Sequence, residues 1–398
     1  MTEQIIHSFE SGRRGKPDEL DSNIAHLIGS HLLGMNPKAR FDIRIEGGYS
    51  RKRERLQVNV SGEVSGSLLT PKLPEELTDL TLVHYNRLHG TVLNVDDIHF
   101  NYEELNAQES DLALNGNIGD DGRPIAVAFR DAPYFLPHDR FIAVAVRDLF
   151  DTIFNSDGYV PREVAERTGI RELPDLRQDG KITVDGIYEG AKWIGIHNLT
   201  ASLNHDPDTS FEMFRSNVDK IVRGYVAMLA EQYSFAFGTP VVRVNPKGPW
   251  GNEGGWKVDR GSREAKPQRH FFGTHGVAED SPYGEDASKP SGTGTYLARY
   301  IAVQIVGNGL AEYARVALDC TMGQKEVRLL NISTLGTATL PQQELERWVQ
   351  DHIPLGFEET IERFHLRSPE IYHKLVQDSD LFHNSNLPWN KFEVKYKK

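Results

Sequence analysis

The sequence lacks the features on which several classes of protein depend. Cys320 is the one cysteine among 398 residues, which excludes an internal disulfide framework and a cysteine-rich metal site. No long apolar span, signal peptide or lipidation motif is found, so we expect a cytoplasmic protein. The net charge of −12 argues against non-specific binding to nucleic acid or to an anionic membrane.

Familiar catalytic motifs are missing as well. The sequence has no GxxxxGK[ST], HExxH or GxSxG motif and no Rossmann fingerprint. Its histidines follow no spacing that is typical of metal ligands. The chemistry must therefore rest on carboxylates and basic residues that are distributed along the whole chain.

The most unusual stretch, residues 245–299, is long, polar and rich in glycine. Such a stretch in a compact domain is usually a functional loop or a disordered segment. Its aromatic residues are costly to leave in a solvated linker: Trp250, Trp256, Phe271, Phe272 and Tyr283. Glycine lets backbone approach an anion, and six cations can balance its charge: Lys257, Arg260, Arg263, Lys266, Arg269 and Lys289. The pattern favours an anion site, and the alternative is a solvated surface loop.

A second basic segment, residues 12–16, leads into a helical pattern that starts at Pro17. Proline suits the first turn of a helix, and the acidic Asp18 and Glu19 suit its positive end. A basic loop before a helix N-terminus can hold an anion or a metal-bound phosphate, although the spacing is not that of a P-loop.

Hydrophobic periodicity predicts an α+β protein. Strand-like alternation covers residues 41–50, 56–66, 125–129, 182–188 and 192–203, and further strands are predicted in VVRVN, ARVALDC (which contains Cys320) and EVRLLNIST. Helical periodicity predicts helices from residue 17, over 140–154, 210–232, 293–312 and 341–352, and near 357–364. Paired strands that alternate with long helices indicate helices covering antiparallel sheets.

Seven blocks of the chain, in order and with nearly preserved spacing, resemble the S-adenosylmethionine synthetase family. FESGRRGKPDELDSNIA resembles its opening SES-x-x-x-GHPDK-x-x-D-x-I, and NPKAR with GEVS resembles DPKAR with GEIT. GNIGDDG and LRQDGK resemble GAGDQG and LRPDAK. The remaining blocks are NPKG with the glycines after it, HG with GEDASK and YLARYIA, and the terminal LPWNK.

The resemblance implies an α+β fold of three similar subdomains, each an antiparallel or mixed sheet covered by helices. We predict an N-terminal domain over residues 1–106, a central domain over 107–240 and a C-terminal domain over 241–398, with the subdomains interleaved in space. The implied reaction joins ATP to methionine through its sulfur and then hydrolyses the triphosphate, with Mg²⁺ as cofactor. A homodimer or homotetramer with active sites at the dimer interface is also implied.

Carried over by position, the resemblance implies a role for each matching residue. The implied catalytic residues are Lys16, Lys181, Asp259 and Lys266. The implied methionine-binding residues are Glu63, Gln108 and Asp120. The implied nucleotide- and phosphate-binding residues are Asp179, Lys181, Trp250, Arg263, Lys266 and Lys289. Asp18 is the implied metal ligand. Read without the resemblance, these acids have ordinary alternatives: a helix cap at Asp18, an exposed strand residue at Glu63 and a turn former at Asp120.

The chain also departs from the family pattern. Lys16 stands where the family has a histidine at the leaving oxygen, and Arg44 stands where a glutamate contributes to a potassium site. A guanidinium can take the place of that cation, so a potassium requirement is not supported. The other departures are Glu19 and Glu285 for lysines, Ala265 for a phosphate-binding arginine and Ser291 for an aspartate that serves the second metal. Arg13, Arg14 and Arg260 are candidates to restore the lost positive charge.

Two other functions therefore stay open beside a methionine adenosyltransferase. The first is an enzyme of the same fold that uses another nucleotide or acceptor, or that leaves the triphosphate intact. The second is a catalytically silent homologue that binds nucleotide. Retention of charged residues at most of the family positions argues against a silent site.

Overall fold

A computed structural model describes residues 3–108, 116–261, 267–276 and 280–396. The strands, in chain order, are β1 (Gln4–Gly12), β2 (Phe41–Ser50), β3 (Arg55–Ser65), β4 (Ile98–Gln108), β5 (Ile125–Phe129), β6 (Leu176–Glu189), β7 (Lys192–His205), β8 (Val241–Val244), β9 (Tyr313–Asp319) and β10 (Arg328–Ser333). The helices are α1 (Pro17–Met35), α2 (Leu73–His89), α3 (His138–Asn155), α4 (Arg162–Thr168), α5 (Phe211–Tyr233), α6 (Pro267–His270), α7 (Pro290–Gly307), α8 (Gln342–His352), α9 (Phe357–Arg363) and α10 (Pro369–Asp378).

The strands form three sheets, with the orders β1-β6-β7-β8, β2-β3-β4 and β10-β9-β5. Pairing is antiparallel except for the parallel pairs β3–β4 and β7–β8. Helix α3 packs on β1 and β6, α1 packs on β2, and α7 packs on β5 and β9. The predicted α+β class, with mixed sheets covered by helices, is confirmed.

Local sequence explains the elements that position the site. In β2, Phe41, Ile43 and Ile45 are buried while the alternate residues are more exposed, so this strand has one inner and one outer face. Helix α1 starts at Pro17, as predicted, because the missing N–H of proline costs nothing in a first turn. The buried position of Cys320 fits its predicted strand-like run.

Several elements differ from the sequence predictions. Strand β1 and helices α2, α4 and α10 were not predicted, and α7 covers Pro290–Gly307 where a helix over 293–312 was expected. Helix α7 ends early because Gly309 takes a left-handed conformation (φ 66°) that turns the chain toward β9. Helix α4 has seven residues, too few for a periodic pattern to stand out.

The sheets join segments that are far apart in sequence. Strand β1 pairs with β6, and β5 pairs with β9. The predicted domain boundaries after residues 106 and 240 stay predictions. Across the residues described, no helix is long and apolar enough to cross a membrane.

Candidate active site

The first group of predicted site residues meets where β1 ends and α1 begins. Gly12 pairs with Lys181 in the β1–β6 ladder, and the N–H of Arg13 donates to the carbonyl of Gly180 at 2.9 Å. The chain then turns, so that Lys16 Nζ lies 2.5 Å from Asp18 Oδ2. We define the α1 cluster as Glu10, Lys16, Asp18, Glu19, Asp179, Lys181 and Arg269.

Arg269 holds the two acids at the start of α1 together. Its Nη1 donates to Asp18 Oδ2 at 3.0 Å, and its Nε lies 2.5 Å from Glu19 Oε1. Burial alone would raise the pKa of Asp18, but Arg269 and Lys16 outweigh it and hold that pKa below its usual value. Burial dominates for Glu19, whose pKa is raised. The cations and acids of this group therefore largely neutralise one another.

Asp179 is positioned by a turn that requires glycine. Gly254 and Gly255 both have positive φ angles, 67° and 59°, and the N–H of Gly255 donates to Asp179 Oδ2 at 2.8 Å. Burial raises the pKa of Asp179, although the Gly255 N–H opposes it. Asp179 Oδ1 is buried without a hydrogen-bond partner among the described residues, so it can accept a hydrogen bond from a ligand hydroxyl.

The turn is fixed from its other side by Trp256. This ring is fully buried, stacks on Tyr85 at a centroid distance of 5.0 Å, and donates from Nε1 to Asp21 Oδ1 at 2.8 Å. It occupies the space beside Gly47, where a Cβ atom would lie 1.9 Å from the indole. Gly47 of β2 thus admits the Trp256 segment, which in turn positions Asp179.

Lys181 completes the α1 cluster. Its Nζ donates to Glu10 Oε2 at 2.7 Å, and Glu10 also interacts electrostatically with Arg269. Lys16 contributes to the electrostatic environment of Asp179. Four predicted site residues, Lys16, Asp18, Asp179 and Lys181, are therefore brought together.

Arg13 and Arg14 contribute less to this cluster than the sequence suggested. Arg13 is fully buried, donates from Nε to Asp151 Oδ1 at 2.8 Å and also donates to the Phe150 carbonyl at 3.2 Å. Arg14 Nη2 donates to Asp148 at 3.4 Å. Arg13 is therefore a structural cation whose donors bind the protein itself, and the interpretation of it as a replacement phosphate ligand is not supported.

Trp250 and Asp259 lie on either side of the glycine turn. Trp250 is half-buried, and its backbone N–H donates a hydrogen bond to His205 Nε2 at 3.0 Å. Asp259 is exposed, and its Oδ1 accepts the N–H of Arg260 at 2.9 Å. Arg260 pairs with Glu46 at 3.1 Å on the exposed surface of β2.

The second group of predicted residues surrounds Lys289, the residue before α7. Lys289 Nζ donates to Asp120 Oδ2 at 2.9 Å and lies 3.6 Å from Asp42 Oδ2. Burial alone would raise the pKa of Asp120, but its hydrogen bond from Lys289 lowers that pKa overall. Glu63 is the exposed β3 residue opposite Asp42 in the sheet register, so the two side chains share a face. We define the Lys289 cluster as Asp42, Glu63, Asp120, Glu285 and Lys289.

Two departures from the family pattern contact each other here. Ser291 Oγ donates to Glu285 Oε2. Glu285 also forms a β-bridge with Asp42, which brings it into the Lys289 cluster. The carboxylate of Glu285 therefore lies beside position 291, where the resemblance expects an aspartate.

The two clusters lie at opposite ends of β2. Gly47 contacts the α1 side, because its N–H donates to Asp21 Oδ2 at 3.1 Å, whereas Asp42 contacts Lys289. Gly47 and Asp42 are five positions apart on β2, a distance of about 17 Å at roughly 3.4 Å per residue. Arg44 lies exposed between these ends, opposite Ser61 of β3.

Three predicted residues are described only in part or not at all. Arg263 and Lys266 lie outside the described residues. Gln108 ends β4 in register with Ser65, and its backbone alone is described. Their proposed roles therefore stay predictions.

Sequence reasoning missed the partners that hold these residues. Glu10, Asp21 and Asp42 were not singled out, although Glu10 lies within the quoted FESG block. Arg269 was predicted to face an anion, but it binds Asp18 and Glu19. In the part of the chain that the structure describes, no three His, Cys, Asp or Glu side chains are grouped to hold a metal ion.

Comparisons with known proteins agree with the resemblance. The family model described as "S-adenosylmethionine synthetase, C-terminal domain" matches residues 254–391. The S-adenosylmethionine synthase of Treponema pallidum (strain Nichols) is 30% identical, with 98% of this chain and 94% of that protein covered. The S-adenosylmethionine synthase of Aquifex aeolicus (strain VF5) is 26% identical, with 97% and 96% covered.

Proposed function

The chain belongs to the S-adenosylmethionine synthase family, and from that premise we propose that it is a methionine adenosyltransferase. It converts ATP, L-methionine and water to S-adenosylmethionine, phosphate and diphosphate. The methionine sulfur attacks the ribose C5′ carbon, the C5′–oxygen bond breaks, and the triphosphate leaves with the bonding electrons. Water then cleaves the triphosphate. A thioether is already nucleophilic, so the first step needs alignment and charge stabilisation and no general base.

One observation carries this proposal: the fold brings together Lys16, Asp18, Asp179 and Lys181. Lys16 and Lys181 are 165 positions apart in the sequence. Lys16 is the cation we assign to the leaving oxygen, and Lys181 the cation for the phosphates. The open Oδ1 of Asp179 suits a ribose hydroxyl. The half-buried ring of Trp250 offers a face for adenine.

The Lys289 cluster suits the amino-acid end of methionine. Asp42, Asp120 and Glu63 supply carboxylates for its ammonium group, and Lys289 supplies the countercharge. An acidic subsite with one cation fits a zwitterion better than it fits a polyanion. Lys289 also remains our proposed phosphate contact, because methionine sulfur must reach the carbon next to the α-phosphate.

The donor set at Asp18 is compatible with Mg²⁺ bound together with a nucleotide. A metal ligand must be ionised, and the lowered pKa of Asp18 keeps its carboxyl ionised at neutral pH. Mg²⁺ usually takes one or two carboxylates and completes its shell with phosphate oxygens and water. When bound, it neutralises charge on the phosphates. Because Lys16 and Arg269 already bond to Asp18 Oδ2, we expect Asp18 to hold the ion only when nucleotide is present.

We infer that the active enzyme is a homodimer in which each site combines the α1 cluster of one chain with the Lys289 cluster of the other. Reacting atoms must approach to about 3–3.5 Å, whereas Gly47, which contacts α1, and Asp42 of the Lys289 cluster lie about 17 Å apart along β2. A two-fold axis across the exposed polar face of β2 and β3 would bring opposite strand ends together. Pairing of two dimers into a tetramer remains an extension of this proposal.

A second candidate function is adenosyl transfer without triphosphate hydrolysis. The observation that favours it is the mutual neutralisation of Lys16 and Arg269 by Asp18 and Glu19. Fewer uncompensated cations face a polyphosphate than the family pattern provides. An altered nucleotide or acceptor is compatible with the same observation.

The test is incubation of the purified full-length protein with ATP, methionine and Mg²⁺, with product analysis by mass spectrometry and phosphate assay. We expect S-adenosylmethionine with phosphate and diphosphate in equal amounts. S-adenosylmethionine with intact triphosphate would support the second candidate. No sulfonium product would contradict both.

Lys16→Ala separates the two half-reactions. We expect slower S-adenosylmethionine formation, while hydrolysis of added triphosphate changes less. Equal rates of adenosyl transfer in the variant and the natural protein would remove Lys16 from the leaving oxygen. The cytoplasmic location stays a prediction from the sequence.

A further inference from the structure

A cavity of about 470 Å³ opens beside the β6–β7 turn, between the first and third sheets. Its volume lies within the range of small-molecule sites, about 300–1,000 Å³. Four rings form much of its wall: Phe129, His138, Trp193 and Phe235. No role was assigned to any of them from the sequence.

The walls of this cavity are fixed by hydrogen bonds. Trp193 Nε1 donates to the carbonyl of Ala236 at 2.7 Å, and the Trp193 ring stacks on His138 at 4.9 Å with an interplanar angle of 15°. The backbone N–H of His138 donates to Tyr188 Oη at 3.0 Å, and Tyr188 donates to Asp139 at 2.9 Å. A ligand would therefore meet a cavity that is already formed, which lowers the entropic cost of binding.

His138 is the polar ring in this aromatic wall. The residue is 4% exposed, and its Nδ1 is buried with no hydrogen-bond partner among the described residues. Burial lowers the pKa of His138 to about 4, so the ring is neutral at physiological pH. Because this ring is neutral, His138 does not repel a cation that enters the cavity.

The rim of the cavity is negative. Asp131, Glu189 and Glu312 line it together with Lys192, a formal balance of −2 from three acids and one base. Arg130 outside the lining pairs with Glu312 at 2.7 Å, and at least one negative charge remains. Aromatic walls with a negative rim attract an organic cation, because ring faces are themselves negative.

The cavity is separate from the proposed active site. Glu189 at its rim and Lys181 in the α1 cluster lie eight residues apart on β6, about 26 Å along the strand. A ligand here would not compete with ATP or methionine. Binding at this cavity therefore does not depend on the proposed reaction.

We propose that this cavity binds a small aromatic or heteroaromatic primary amine. Its ring packs against Trp193 and Phe235, and its ammonium group meets the rim carboxylates. An amine supplies the positive charge that complements the negative rim, whereas a neutral or anionic aromatic does not.

The experiment compares three probes of the same ring: tryptamine, indole and indole-3-acetate, titrated into the full-length protein by calorimetry and ligand-observed NMR. We expect tryptamine to bind about tenfold more tightly than indole, and indole-3-acetate to bind most weakly. Equal affinities for tryptamine and indole-3-acetate, or no tryptamine binding at millimolar concentration, would overturn the proposal.

Variants locate the binding. Asp131→Asn changes an exposed rim residue, and we expect about threefold weaker tryptamine binding with unchanged indole binding. Trp193→Ala, checked for folding by circular dichroism, should weaken both by about tenfold or more. Glu163→Gln, an exposed charge on α4, is the matched control. Loss of tryptamine affinity in the control as large as in Asp131→Asn would contradict the assigned cavity.

Discussion

The acids at the start of α1 and the acid that binds Lys289 lie at very different depths. The side chains of Asp18, Glu19 and Arg269 are each at most 7% exposed, whereas that of Asp120 is 45% exposed. A buried charge must be compensated inside the chain, because its desolvation is costly. An exposed charge is solvated by water and needs no partner within the chain before a ligand binds.

This difference explains how the chain has departed from its family. The resemblance gives a lysine at position 19, and a lysine there would face Arg269 with a like charge. Glu19 instead forms an ion pair with Arg269 at 2.5 Å. In the other cluster, Glu285 and Ser291 are both departures and bond to each other. Glu19, Glu285 and Ser291 therefore each bond to a partner inside the chain.

The largest effect expected from this comparison follows removal of Arg269. Arg269→Met leaves Asp18 and Glu19 buried with one fewer countercharge. Breaking a buried ion pair from one side costs about 3–5 kcal/mol, so we expect the free energy of unfolding to fall by that amount. Urea denaturation followed by circular dichroism measures it.

Two variants control this result. Arg260→Met breaks an exposed ion pair with Glu46, for which a change within about 1 kcal/mol is expected. Glu19→Gln combined with Arg269→Met should recover part of the loss, because one buried carboxylate is then neutral. If Arg269→Met were no more damaging than Arg260→Met, Arg269 would not hold the α1 cluster together.

A smaller effect, and on activity instead of stability, is expected for Asp120→Asn. The amide keeps the shape but no longer carries charge for Lys289 or for the methionine ammonium group that we propose Asp120 binds. A hydrogen bond to a charged group is worth about 1.5–3 kcal/mol, so we expect kcat/KM for methionine to fall by about 10- to 100-fold. The unfolding midpoint should change little because Asp120 is half-exposed.

Asp121→Asn is the matched control for this variant. Asp121 is the neighbouring carboxylate, but its Oδ1 accepts the N–H of Met322 at 2.8 Å and does not bond to Lys289. Activity should stay within about twofold of the natural protein, as expected for a charge outside the site. Equal losses in both variants would mean that local charge, and not the Asp120–Lys289 contact, determines activity.

Sequence reasoning recovered the fold class because it rests on local signals. The start of α1 at Pro17, the alternation in β2 and the ordered family blocks are all visible along the chain. The same reasoning expected functional chemistry near residues 16–18 and 179–181; the fold brings these segments together, and their function stays a prediction.

The pairing of charges could not be predicted from the sequence. Glu19 and Arg269 lie 250 residues apart, and nothing in the local pattern of either indicates the other. Arg13 shows the same limit, since a basic loop before a helix looks like an anion site until Asp151 is seen to bind it. Such contacts depend on tertiary packing alone.

The smallest effect expected is a dependence of stability on pH in the acid range, where Asp18 and Glu19 act in opposite directions. The pKa of Asp18 in the folded protein lies below its ordinary 3.8, so its stabilisation is complete above that value and is lost as pH falls through the folded pKa. The pKa of Glu19 lies above its ordinary 4.5, so its stabilisation is present below that value and is lost as pH rises through the folded pKa.

Urea midpoints between pH 3 and 7 separate the two contributions. Asp18→Asn should lower the free energy of unfolding at neutral pH and change it little at the acid end. The stability of Glu19→Gln relative to that of the natural protein should be highest at neutral pH. In the natural protein the two trends fall in different pH ranges: the Asp18 contribution grows with pH below its ordinary 3.8, and the Glu19 contribution declines with pH above its ordinary 4.5. Together they place the maximum of these two contributions at about pH 4. Parallel profiles for the two variants would contradict the opposite shifts, and with them the conclusion that Arg269 neutralises Asp18 more fully than it neutralises Glu19.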